Sequence, residues 1–255
     1  MEIRRVLEYL SMKYSGSWND IQRIIRDKEQ IDCDDLEIVL KDLDTGTITI
    51  TDDNYPEKFK YIPMAPWVIY YKGDVSLLNK KIVSIVGSRE ASDYYLEVVD
   101  KIIEEISYLN KDIVICSGLA KGVDARAHSA ALKYGLKTIA VLPVGIDECY
   151  PKDNFKLYEE IEQTGLLISE YPKKTYVKKE TFTSRNRLIT GLGDNVLVIE
   201  VKDRSGTLAS VNLALSQGKD IYCVPSMYGE DTLNNTIIKE GAFILTSSED
   251  LVKKF

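Results

Sequence analysis

From residue 81 onward, short apolar runs alternate with longer stretches in which apolar residues recur every three or four positions. The runs IVSIV, DIVICS, KTIAVLP, LLISE, NVLVIEV, DIYCVP and AFILT are nearly continuous in apolar residues. Strands covered on both faces read this way, whereas half-exposed strands alternate. Between them YYLEVVDKIIEEISYL, DARAHSAALKYG, NFKLYEEIEQ, RNRLITGL, TLASVNLALSQG and NTIIKEG carry helical spacing. The pattern predicts an α/β fold: a doubly wound, mostly parallel sheet with helices on both faces. In such sheets ligands bind beyond the carboxyl ends of the strands, where the connecting loops gather.

Upstream the texture differs. VLEYLSMKY, IQRIIRD and DLEIVLKDL show helical spacing, so residues 1–50 are expected to form a small helical N-terminal domain. Residues 51–80 are rich in proline and aromatics, with a short strand pattern at WVIYY, and are expected to connect and pack on the core of residues 81–255.

Several predicted strands end in loops that mix glycine, hydroxyl and base. After IVSIV stand Gly87, Ser88 and Arg89, and after DIVICS stand Ser117, Gly118, Lys121 and Gly122, just before a helix. After NVLVIEV stand Ser205, Gly206 and Thr207, opening another helix. Unpaired N–H groups at helix starts, helped by the helix dipole, bind anions. Any one of these loops is equally well a tight turn or a capped helix. Their repetition on one edge of one sheet points to phosphate. Asp124, Asp147 and Glu200 at strand ends read as caps or as holders of basic side chains, and His128 as a structural histidine.

Composition narrows the ligand. The chain has 255 residues and a net charge of −7, so a generally basic surface is excluded and a nucleic-acid site must be a local patch. The one dense basic island is YPKKTYVKKETFTSRNRLITGL. There Lys173, Lys174, Lys178, Lys179, Arg185 and Arg187 stand against the single acid Glu180, with Tyr171, Tyr176 and Phe182 interleaved. Cations neutralise phosphates and aromatic faces receive unstacked bases. Arg185 and Arg187 flank Asn186 at what reads as a helix start, where two cations oppose the dipole unless an anion lies nearby. A solvated lysine-rich loop is the alternative. The four cysteines form no CxxC pair; with a single histidine, no metal site is expected, and Cys116 and Cys223 read as buried free thiols. The N-terminus does not read as a signal peptide, and no run approaches the ~20 apolar residues of a membrane span. A cytoplasmic protein is expected.

In the order NYPEKFKYIPMAPWVIYYKGD, VSIVGSR, CSGLAKGVDARAH, TIAVLPVGIDECYPKDN, LISEYP, FTSRNRLITGL, VLVIEVKDRSGTLASVNLAL and IYCVPS, the chain resembles the DNA-processing protein A (Smf) family from about residue 54 to 250. The resemblance implies an extended Rossmann-like fold and a non-catalytic, single-stranded-DNA-binding recombination mediator. Such a mediator helps to load RecA recombinase onto strands coated by single-strand-binding protein, in natural transformation or related recombination. It also implies a homodimer and no cofactor. By position, the family's phosphate motif falls on Gly87, Ser88 and Arg89, and its basic pocket on Lys121, Arg185 and Arg187. Residues 1–50 match only loosely, and the chain ends after SSEDLVKKF without the winged-helix-like domain that many members carry.

The alternative is a nucleotide sensor or a phosphoribohydrolase of the LOG type. There a GGxGTxxE motif is expected at the strand end that here reads Arg204-Ser205-Gly206-Thr207-Leu208-Ala209-Ser210. Ser210 stands where the catalytic glutamate is required. Losing a proton-transfer group of that kind typically costs 10²–10⁴-fold in rate.

Overall fold

A computed structural model describes residues 2–203 and 205–253; Arg204, first residue of the RSGTLAS stretch, lies outside them. Three helices come first, α1 (Ile3–Lys13), α2 (Trp18–Asp27) and α3 (Cys33–Leu40), and bury Tyr9, Leu10, Ile21, Ile24 and Leu36 together. Side-chain caps start two of them: Ser17 Oγ accepts the Asp20 N–H at α2, and Asp32 accepts from Asp34 and Asp35 at α3. GTIT then forms β1 (Gly46–Thr49), although it falls in the range expected to be helical. A short threonine- and isoleucine-rich segment suits a strand laid against a partner. After α4 (Glu57–Lys60), the WVIYY pattern yields β2 (Val68–Gly73), so the expected connector contributes a strand to the sheet.

The alternating region follows as β3 (Ile82–Val86), α5 (Asp93–Leu109), β4 (Val114–Ser117), α6 (Val123–Lys133), β5 (Lys137–Leu142), α7 (Phe155–Thr164) and β6 (Leu166–Ser169). It continues as α8 (Lys179–Leu192), β7 (Asn195–Val198), α9 (Gly206–Ser216), β8 (Asp220–Cys223), α10 (Asn234–Lys239), β9 (Phe243–Ile244) and α11 (Glu249–Val252). Among the described residues, nine strands share one sheet in the order β1-β2-β6-β5-β4-β3-β7-β8-β9. Pairing is antiparallel at β1–β2 and β2–β6 and parallel everywhere else.

From β3 the chain winds one way through β4, β5 and β6, then crosses back to β7 and winds the other way. The β3–β7 border is therefore the topological switch point. Loops leaving those two strands diverge to opposite faces and open a crevice at their carboxyl ends. Burial follows the pleat. On β3, Ile82 and Val86 face the layer of α8 and α9, whereas Val83 and Ile85 face α5 and α6. Each buried Ile or Val contributes about 1.5–3 kcal/mol relative to exposure. These two layers fix the strand ends rigidly. Among the described residues no helix is long and apolar enough to cross a membrane.

Candidate nucleic-acid interface

The turn after β3 is shaped by close approach. A Cβ on Gly87 would lie 2.5 Å from Val123 Cγ2, at the start of α6. Gly122 has φ +72°, and a Cβ there would lie 2.4 Å from the Ser88 carbonyl oxygen. That carbonyl accepts the Val123 N–H at 3.1 Å, so the loops after β3 and β4 are locked together. Ser88 is nearly buried, and its Oγ accepts the Glu90 N–H at 3.1 Å. Arg89 is exposed, and its guanidinium lies 4.9 Å from the centre of the Phe182 ring.

Across the crevice α9 begins. Ser205 Oγ accepts the Leu208 N–H, and the first turn carries no acid. The earliest N–H groups of a helix have no intrahelical partner, so Gly206 and Thr207 offer donors to an anion. A cavity of about 360 Å³ joins the two sides. Gly87, Ser88, Arg89, Arg185, Asn186, Ser205, Gly206 and Thr207 all line it. Lys202 lines it too, with Nζ donating to the Glu90 carbonyl at 2.7 Å. Sequence reasoning missed Lys202; its place in the loop after a central strand was the available signal.

The remaining candidates lie elsewhere. Ser117 is fully buried and donates to the Ile85 carbonyl at 2.7 Å, so it braces β4 against β3. Gly118 supplies a carbonyl to Arg185. Lys121 points to Asp153, 2.5 Å away. Among the described residues, Phe182 meets the cavity through Arg89.

The two arginines correct the helix-start reading. Helix α8 begins at Lys179, so Arg185 and Arg187 sit well inside it, and both are buried. Arg185 Nη1 donates to the Gly118 and Val141 carbonyls, the latter at 2.9 Å. Arg187 Nη2 contacts both oxygens of Glu170 at 2.6 and 2.7 Å. Their charges are answered inside the protein, by strand-end carbonyls and a carboxylate. Arg185 Nε and Arg187 Nε and Nη1 stay buried without a hydrogen-bond partner among the described residues. Arg185 still presents surface to the cavity; Arg187 lines a different cleft, together with Tyr14 and Trp18.

Two carboxylates behave as holders. Asp124 Oδ2 accepts the Ala120 N–H at 3.3 Å; burial pushes its carboxyl up, and neighbouring Arg185 pulls it back. Asp147 Oδ1 accepts the Lys174 N–H at 3.0 Å. His128 Nδ1 donates to Thr138 Oγ1 at 2.7 Å, because that hydroxyl already gives its proton to the Ile115 carbonyl. Burial pushes the imidazole down to about 3, so it is neutral and structural at physiological pH.

Glu200, just past β7, is pushed up by burial, while Lys202 and the Ser88 hydroxyl draw it down and Glu230 adds to the rise. A carboxyl raised in the folded state contributes its stability below its unfolded value, about 4.5, and loses it as pH rises through the folded value. Glu200→Gln should therefore be more stable than wild type at pH 7–8, with the gap closing below about pH 4.5. Thermal melts across pH check this; a gap that widens on acidification would contradict it.

Comparison with known proteins places this architecture. The profile described as DNA recombination-mediator protein A matches residues 46–255. The DNA processing protein DprA of Streptococcus pneumoniae is 40% identical over 211 residues, covering 82% of this chain and 74% of the relative. DprA of Bacillus subtilis is 36% identical over 212 residues, covering 82% and 71%. The crystal structure of the S. pneumoniae protein superposes with a TM-score of 0.84 at 31% identity, covering 100% of this chain and 97% of that one. A Helicobacter pylori DNA processing protein A structure, described for its single-stranded DNA binding mode, gives 0.74 at 30% identity over 83% and 96%. The chain belongs to the DNA recombination-mediator protein A family.

Proposed function

We propose that this chain is a non-catalytic mediator that binds single-stranded DNA at the β3–β7 crevice and delivers the strand to RecA recombinase. The observation that carries the reading is the meeting, at one switch point, of the Gly87–Ser88–Arg89 turn, the Lys202 loop and the start of α9. Such a site takes a phosphate and reads no base edge, so binding should tolerate any sequence. Phe182 is the candidate base-stacking ring. The single-stranded DNA binding of the H. pylori relative supports the same reading.

Ser210 lines the cavity and donates to the Gly206 carbonyl, so the position that must supply an acid for nucleotide hydrolysis holds a hydroxyl. This favours binding over catalysis. Self-association as a homodimer, contact with strands carrying single-strand-binding protein and action in the cytoplasm complete the proposal.

The test is RecA nucleation on a single strand pre-coated with single-strand-binding protein, followed as the lag before RecA's ATP hydrolysis. The protein is expected to shorten that lag severalfold at substoichiometric amounts. An unchanged lag, with single-strand binding intact, would remove the loading role.

A further inference from the structure

The loop between β5 and α7 lies against the turn after β4 and is firmly tied down. Asn154 Nδ2 donates to the Leu119 and Ala120 carbonyls at 2.9 and 3.3 Å, fixing the loop to the turn after β4. On its other side, Gly145 N–H donates to the Thr175 carbonyl at 2.8 Å, joining it to the basic segment. Tyr150 stands in this loop and remains 40% exposed. Its ring meets that of Phe182 edge-on, with centroids 5.4 Å apart and planes at 64°.

The Arg89 guanidinium covers part of Phe182, 4.9 Å from its centre, so much of the open aromatic surface in this cluster belongs to Tyr150. A tyrosine kept for packing looks different. Tyr158, nearby in sequence, is buried and donates its hydroxyl to the Ile146 carbonyl at 2.7 Å. Tyr150 makes no side-chain hydrogen bond among the described residues, and Lys121 reaches the same loop through Asp153, 2.5 Å away.

We propose that Tyr150 is a second nucleobase-binding residue, receiving the base next to the nucleotide whose phosphate occupies the cavity, with Lys121 beside it for the backbone. The inference rests on the single-strand reading above and extends it from a phosphate site to a short track. Base faces stack on tyrosine whatever the sequence, and a ring held in advance loses little freedom on binding. Binding at Lys121 would exchange Asp153 for a DNA phosphate.

Two measurements test it on the full chain. In the wild type, a 30-nucleotide strand carrying 5-iodouracil should photo-crosslink to Tyr150, mapped by mass spectrometry. Tyr150→Leu should weaken the same strand about fivefold or more, and Tyr150→Phe less than twofold. An abasic strand should bind Tyr150→Leu and wild type alike. Equal affinity of Tyr150→Leu and wild type for the normal strand, with no crosslink at Tyr150, would overturn the proposal and leave the phosphate site standing. Failure of the wild type to bind any single strand would overturn both.

Discussion

Arg187→Ala is expected to lower the unfolding free energy by about 3–5 kcal/mol, the usual cost of removing one partner from a buried ion pair. The side chains of Arg187 and Glu170 are each 5% exposed, and Glu170 has its two oxygens on one guanidinium nitrogen. Burial already pushes the Glu170 carboxyl up against the pull of Arg187. Without the arginine the carboxylate must protonate or stay charged in an apolar setting, and either course costs stability. Replacing both residues, as Arg187→Met with Glu170→Leu, should recover most of the loss, because the desolvation cost vanishes with the charges. Urea unfolding of the wild type and the two variants checks this. A single-variant loss below about 1 kcal/mol would show that the pair is not structural.

Arg89→Ala is expected to do the opposite: leave stability nearly unchanged and cut single-strand affinity at least tenfold. Arg89 is exposed and makes no hydrogen bond or ion pair among the described residues, so little in the fold depends on its charge. Its contact with Phe182 is a cation–π stack, worth about 0.5–1 kcal/mol at exposed sites. In the bound state the guanidinium would face a phosphate, a charge-assisted contact worth about 1.5–3 kcal/mol. Releasing Phe182 would also free that ring for a base. The two events are coupled through one side chain, so Arg89→Ala and Phe182→Ala should not be additive.

Much of this was legible in the sequence because continuous apolar runs leave few alternatives to a parallel sheet. The strands from IVSIV onward, and the glycine-rich turns that follow the central ones, are where the pattern placed them. Local pattern failed where the partner is remote. GTIT reads as neither helix nor core, and becomes β1 only by pairing with β2, more than 20 residues on. KETFTS has no apolar period, so the start of α8 was hidden and two buried arginines looked like a cationic helix end.

The basic island shows the same limit. Lys173 pairs with Asp44 and Arg187 with Glu170, both contacts that only the fold creates. What remains of the island near the cavity is Arg185, Asn186 and, through Arg89, Phe182. Lys202 joined them because β7 lies beside β3, which no local motif announces.

The most direct test of the phosphate site is the salt dependence of binding for wild type and Arg89→Ala, measured side by side with a fluorescent 30-nucleotide single strand, its duplex and mononucleotides. Each neutralised phosphate contributes about −0.7 to the slope of log affinity against log salt on single strands. The account predicts preference for the single strand, a wild-type slope of about −2 or steeper, and a slope shallower by about 0.7 in Arg89→Ala. Equal slopes and affinities for the two proteins, or tight binding of mononucleotides with none of the strand, would contradict it.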